Sequence, residues 1–432
     1  MQMTQPPLRT PETVELMQPA HRTLANGVDL YTLAADDFEV ARISFLFRAG
    51  SARQRKPFVA SATANLLAEG SRDLTAREIA ERLDFLGSYY DVGIDRDYAY
   101  FSFCTLSRYF GRTLEIAEQI LLHPRFPEHE LATYRAKRRQ ELAVERTKVD
   151  TRAREAFAGA LFGATHPYGI IADEKNYDGL VRDDLADFYT RHYTAGNCFV
   201  VCSGRIGPAE LEAAAALAER IPQGGALRQE PFPAPVATPF TRIAMPGAVQ
   251  SSLRVGRLLF PRQHPDFVPM QVVATLLGGY FGSRLMHNLR EVHGYTYGAI
   301  AAMINVEQAG YLAVATQVGS EFTSAALDEI YREIERLRTE PVPEEELALV
   351  KNIMAGEMMR ILDGPFGIAD VTIENILCGF DNSVIAGNLR RIRAVTPDEV
   401  LRLARKYLAR ETLVTVVAGA PEKPASQEGS GK

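Results

Sequence analysis

Arg290 and Tyr297 stand seven residues apart in LREVHGYTYG, with Gly294 between them. A guanidinium and a phenol are strong hydrogen-bond donors, able to hold the negative charge that develops on a carbonyl oxygen. A helix ending at Gly294 and a strand beginning near Thr296 would bring the two side chains from different elements to one place. The residues alone also allow plainer roles: Arg290 paired with a nearby carboxylate, and Tyr297 an ordinary strand aromatic. The eight histidines form neither His-x-x-Glu-His nor His-Glu-x-x-His, the spacings that put two imidazoles on one helical face around a metal. His287 and His293 are six apart and do not share such a face. The four cysteines (Cys104, Cys198, Cys202, Cys378) make no Cys-x-x-Cys pair. Cys198 and Cys202 fall on one face of an apparent strand at a separation of about 13 Å, too far to bridge. Buried free thiols in a reducing compartment are expected. Gly278, Gly279 and Gly282 lack the lysine that completes a phosphate-binding loop, so a tight packing turn is expected there.

The totals limit what such residues can serve. A chain of 432 residues is too long for one ordinary core and implies two domains or more. Hydrophobic content of 46% and charged content of 24% are those of a globular protein. The formal net charge of −6 comes with no basic block, which argues against a nucleic-acid partner. Apolar runs such as IAEQILL (116–122) fall short of the ~20 residues that span a bilayer, so no membrane span is expected. The first residues show no basic region followed by an apolar core, so they do not form a secretory signal. A cytoplasmic protein is expected, or a periplasmic one whose signal has been removed.

The elements that must position these residues occur twice. FPEHEL (126–131) returns as VPEEEL (342–347), YTAGNCFVVCSG (193–204) as YLARETLVTVVAG (407–419), and ATANLLAEGS (62–71), with slippage, as VATLLGGYFGS (273–283). A common order and spacing over about 200 residues is a tandem duplication, its period far above the 20–50 residues of a solenoid. IPQGGALRQEPFPAPVATP (221–239) packs five prolines and two glycines into a stretch without apolar periodicity, as a linker does. The domains expected are residues 1–225, a linker 226–240, a homologous domain 241–420 and a disordered tail 421–432. The first ~20 residues read as an extended arm.

In the first half VARISFLFRAG reads as a strand and 57–69 as a helix stopped by Gly70. Thr75 with Glu78 three residues on is a capping box, opening a helix with Ile79, Leu83 and Leu86 on one face before Gly87. YAYFSFCTL (98–106) is a strand, and a long helical region from Thr113 to about Ala158 is broken near Pro124 and Pro127. Asp183 and Asp184 open a short helix, and NCFVVCSG is a buried strand. The second half repeats this, with strands in YTYGAIAAM and YLAVATQV and helices over 324–337 and 343–362. The fold class is α+β: two tandem homologous domains, each a mostly antiparallel sheet covered by helices.

RAGS, LLAEGS and LDFLGSYYDV in the first half, with LLGGYFGSRLMHNLREVHGYTYG and QAGYLAVATQV in the second, resemble the pitrilysin/insulinase family of inverted-motif zinc peptidases, in its short, processing-peptidase-like branch. The likeness runs from about residue 25 to 420. It implies a clamshell half built of two like domains. In active members the first helix carries His-x-x-Glu-His, and a third ligand, a glutamate, follows about 76 residues later. Anchoring on Gly70-Ser71 puts Ser61 and Asn65 at the two histidine positions, Ala64 at the glutamate position and Glu141 at the distal one. Serine and asparagine are poor zinc ligands and alanine cannot act as a base. Glu141 lies in the charged stretch RRQELAVERTKVD, where a glutamate is usually solvated or paired with an arginine.

No metal or cofactor is therefore expected in this chain, and no peptidase activity from it alone. The second half departs less from the family: Arg290 and Tyr297 hold the spacing of its substrate-handling pair. The resemblance implies a partner, a zinc-bearing homologue in a heterodimer, with peptide or unfolded polypeptide as substrate. It also allows a structural or assembly subunit, like relatives inside the respiratory cytochrome bc1 complex, or a peptide-binding homodimer.

Overall fold

The computed structural model describes residues 13–224 and 231–421. The first twelve residues of the expected arm, residues 226–230 of the linker and the tail beyond Pro421 lie outside the described residues. Six strands form the first sheet: β1 (Ala20–Thr23), β2 (Asp29–Ala34), β3 (Val40–Phe47), β4 (Tyr89–Ile94), β5 (Ala99–Leu106) and β6 (Cys198–Gly204). Five form the second: β7 (Phe240–Ala244), β8 (Gln250–Leu259), β9 (Ala299–Val306), β10 (Ala309–Gly319) and β11 (Val414–Gly419). The order β1-β2-β6-β3-β5-β4 in one and β7-β11-β8-β10-β9 in the other puts each strand of the second sheet on a counterpart in the first. Only β2 with β6 and β7 with β11 run parallel; every other pairing is antiparallel. The duplication read from FPEHEL and NCFVVCSG is thus present in the topology.

Local chemistry explains most element ends. Thr75 caps the Ala76–Leu86 helix: its hydroxyl accepts from the Glu78 amide at 3.3 Å, and Glu78 accepts from the Thr75 amide at 2.9 Å. Ile79, Leu83 and Leu86 are its buried residues, and Gly87 ends it in the left-handed region at φ 61°. The long helical region is three helices, Phe110–Leu122, Glu128–Glu145 and Val149–Phe162. The second break, at Arg146-Thr147-Lys148, has no proline or glycine to announce it. There the Thr147 hydroxyl donates to the Val144 carbonyl at 2.7 Å, a side-chain bond that competes with continuation of the helix.

The chain divides into two compact units that cut across the repeats. The first comprises Met1–Leu142, Ala172–Pro231 and Ile353–Arg390; the second comprises Ala143–Ile171, Phe232–Asn352 and Arg391–Lys432. In the first unit, one sheet face packs Phe45, Phe47, Phe101 and Phe103 against the Val59–Leu66, Ala76–Leu86, Phe110–Leu122 and Pro208–Glu219 helices. The other face is covered by the Gly364–Leu377 helix, which lies on β2 and β6 with Ala369 among Leu33, Leu46 and Val201. In the second unit the Val149–Phe162 helix lies on β8 and β11. Each unit thus takes one covering helix from the far half of the sequence, which contiguous repeats do not foretell. An arginine on the sheet anchors each helix: Arg42 on β3 to Asp370 at 2.6 Å, and Arg254 on β8 to Asp150 at 2.6 Å. Among the described residues no helix is long and apolar enough to cross a membrane. All four cysteines are buried, and among the described residues none is in a disulfide.

Gly256 on β8 makes room for the covering helix, since a Cβ there would meet the Phe157 ring at 3.0 Å and the Leu312 carbonyl oxygen at 2.0 Å. Phe157 is buried and packs edge-on to Tyr311 at 6.4 Å. Phe157→Ala is expected to cost about 3–5 kcal/mol, read as a lower urea midpoint for the second unit.

Candidate functional site

The helix that would carry a metal is Val59–Leu66. It is entered through Phe58, held in the left-handed region at φ 68°, with its ring stacked on Tyr177 at 4.0 Å and an interplanar angle of 2°. Val59, Ala60, Ala62, Thr63, Ala64 and Leu66 are its buried residues. Ala64 faces the core, where its methyl is a packing group. Ser61 and Asn65, four apart, share the half-buried face. Both turn back on their own backbone: the Ser61 hydroxyl donates to the Phe58 carbonyl at 3.0 Å, and the Asn65 amide donates to the Ser61 carbonyl at 2.8 Å.

The Glu128–Glu145 helix brings three side chains up to this face: Tyr134, Arg138 and Glu141, at spacings of four and three. The Arg138 guanidinium donates from Nη1 to Glu141 Oε2 at 2.9 Å, and from Nη2 to Asn65 Oδ1 at 3.4 Å. Its Cζ lies 5.5 Å from the centre of the Tyr134 ring. Burial pushes the Tyr134 phenol above its ordinary pKa, against a smaller opposing effect of its bonds to Ser61 and Arg138. Tyr177, edge-on to Tyr134 at 6.4 Å, is pushed up to about 12 by burial and by its phenol neighbour. Both phenols are therefore neutral donors at pH 7. Asn65 and Glu141 thus meet around one arginine, with Ser61 beside them on the Tyr134 phenol. Sequence reading missed Tyr134 and Arg138, although Arg138 stands one helical turn before Glu141 and was open to the same spacing argument.

These residues do not fit zinc. The donor set is a hydroxyl, an amide and one carboxylate, and both polar atoms of the Asn65 amide are already bonded. Among the described residues no group of three or more His, Cys, Asp or Glu side chains is placed to hold a metal. A divalent ion on Asn65 and Glu141 would also face the guanidinium. At about 4 Å that repulsion is about 2 kcal/mol in water and about 8 kcal/mol at the effective dielectric of a protein surface.

Arg290 and Tyr297 belong to the second unit. The Arg284–Met286 helix runs into a widened turn, His287–Val292, which carries Arg290; Gly294 at φ 65° closes it. Asn288 anchors this turn by donating to the buried carboxylates of Glu329 at 3.0 Å and Glu333 at 2.9 Å. The following strand begins at Ala299, three residues later than the sequence suggests. Thr296 bonds the Gly298 backbone at 2.9 and 3.1 Å and accepts from the Thr316 hydroxyl at 3.0 Å. Those bonds hold 295–298 as a turn, with Tyr297 at its tip and 90% exposed. Tyr297 lines a cavity of about 540 Å³ with Thr296, Ile300, Thr316, Gln317 and Arg254. Arg290 is not among the residues lining it; it lies half-buried with its guanidinium over the Phe281 ring at 4.6 Å. The expected convergence on one cavity is therefore not seen.

The chemistry of the pair is nonetheless distinctive. Among the described residues Arg290 makes no ion pair and Tyr297 no hydrogen bond, whereas nearby Arg284 is bidentate to Glu346 at 2.8 and 2.8 Å. Gly278 packs tightly, as expected of it, since a Cβ there would lie 2.5 Å from the Ala301 nitrogen.

The family model described as peptidase M16 inactive domain matches residues 179–354. Over that stretch the chain is similar to the peptidase M16 family. An uncharacterized zinc protease of Streptomyces coelicolor is 21% identical over 420 residues, covering 94% of this chain and 90% of the relative. Two solved structures share the fold. A peptidase M16 inactive domain from Pseudomonas fluorescens superposes with a TM-score of 0.85 at 24% identity, covering 94% of this chain and all of that one. A chain of Complex III2 from Candida albicans superposes at 0.75 with 15% identity, covering 93% and 95%. The pitrilysin/insulinase resemblance is borne out, and the part of the chain that matches the family model contains Arg290 and Tyr297 but not the Ser61–Asn65 face.

In an M16 chain with a working metal site, the distal glutamate is a ligand. Here Glu141 is one partner of a half-exposed ion pair. Glu141→Gln is therefore expected to change stability by no more than about 1 kcal/mol and to leave the metal content of the purified chain, by mass spectrometry, as in the unaltered protein.

Proposed function

We propose that this chain is a zinc-less subunit of an M16-type metalloendopeptidase. It pairs with a zinc-bearing homologue and contributes Arg290 and Tyr297 to the binding and cleavage of a peptide or unfolded polypeptide. The observation that carries the reading is a contrast in donors. The M16 fold extends through both units, and the residues at the ligand positions are bonded to one another and to Arg138. Yet the guanidinium of Arg290 and the hydroxyl of Tyr297 are bonded to no other described side chain. Donors left open on an accessible surface suit a group that arrives from outside. The oxygen of a peptide carbonyl gains charge when its carbon is attacked, and such donors would stabilise it, while the partner's metal would supply the activated water. Tyr297, on a turn rather than in the strand, is free to move to that oxygen. Arg290, held by the Asn288 anchor and the Phe281 ring, suits a fixed contact to the substrate backbone.

A second reading, a structural subunit of a larger assembly, is favoured by the likeness to the Complex III2 chain. Open donors at 290 and 297 have no use there.

Reconstitution separates the two. The chain alone is expected to hydrolyse no peptide; mixed with its zinc-bearing homologue it supports cleavage of unstructured peptides. Arg290→Ala and Tyr297→Phe are each expected to lower that rate by about 10²-fold, the cost of losing one donor to a developing oxyanion. Full activity of both variants would remove the assignment, and a complex with the homologue that cleaves nothing would favour the assembly role.

A further inference from the structure

We propose that the Arg138 guanidinium is the resident cation of the M16 ligand positions, and that it bars zinc from this chain independently of the missing histidines. Two positions far apart in sequence, 65 and 141, correspond to the second and third ligands, and one group donates to both, at 3.4 and 2.9 Å. A metal would have to do the same from nearly the same point, because zinc lies within about 2.2 Å of each ligand atom. The planar fork of a guanidinium fits between two oxygen acceptors in a way that an ammonium does not. Its single positive charge also balances the single carboxylate of Glu141. The group is held on its own helix from both sides, by the Tyr134 ring one turn before it and by Glu141 one turn after. Behind it stand Tyr134, Tyr177 and Phe58 in ring contact. The site is therefore closed on itself, with its cation built in.

The inference rests on the M16 assignment of positions 61, 65 and 141 and not on the pairing with a partner, so its readout is metal content rather than cleavage. The test compares three full-length proteins by equilibrium dialysis against zinc and elemental analysis. The first carries Ser61→His, Ala64→Glu and Asn65→His. The second adds Arg138→Met, which keeps volume and removes charge; the third adds Arg138→Lys, which keeps charge. The first and third are expected to retain less than about 0.1 zinc per chain, and the second about one. Near-stoichiometric zinc in the first protein would overturn the proposal, as would a folded second protein that binds none. Because four changes can cost the fold, Asn65→His alone is also compared with Asn65→His plus Arg138→Met. Zinc is expected to raise the unfolding temperature of the double variant only, and equal shifts in both, or none in either, would count against Arg138.

Discussion

A sheet that is apolar on both faces must be covered twice, and each sheet of this protein meets that requirement with a helix from the far half of the sequence. β6 and β11 are buried along almost their whole length, so neither tolerates a solvated face. Helices that follow each strand in sequence cover one side. The other side of the first sheet waits for the Gly364–Leu377 helix, and that of the second takes the Val149–Phe162 helix. The anchoring pairs beneath them follow from this demand: the arginines that tie each helix to its sheet. Arg42 and Arg254 are both largely buried and each is paired with an aspartate, where a pair removes the cost of an isolated buried charge.

This constraint also explains what the sequence could and could not convey. The capping box at Thr75, the face of Ile79, Leu83 and Leu86, the stop at Gly87 and the buried strand NCFVVCSG are local, set by residues three or four apart, and they were legible. So was the duplication, because repeated spacing survives where identity does not. The exchange of covering helices was not legible. A helix packs against whichever apolar face reaches it, and nothing in VDTRAREAFAGALF names β8 and β11 rather than β2 and β6. The break at Arg146–Lys148 was hidden for a related reason, since it arises from a threonine hydroxyl and not from proline or glycine. At the site, four positions were placed by family spacing, yet their chemistry was settled by Tyr134 and Arg138, whose partners lie some seventy residues away.

Arg138 and Arg290 make the closing physical argument. They are the same residue type, each half-buried, each resting against an aromatic ring. Arg138 has a carboxylate one helical turn away and an amide oxygen across from it, so much of its donor capacity is satisfied internally. Arg290 has neither; Glu329 and Glu333, which hold its turn through Asn288, are also engaged by Arg332 and Arg336. A guanidinium keeps its charge at any physiological pH, so the difference is one of neighbours alone. An internal counter-ion turns one arginine into part of the scaffold. Its absence leaves the other with donor capacity that no described side chain takes up, able to meet an external oxygen.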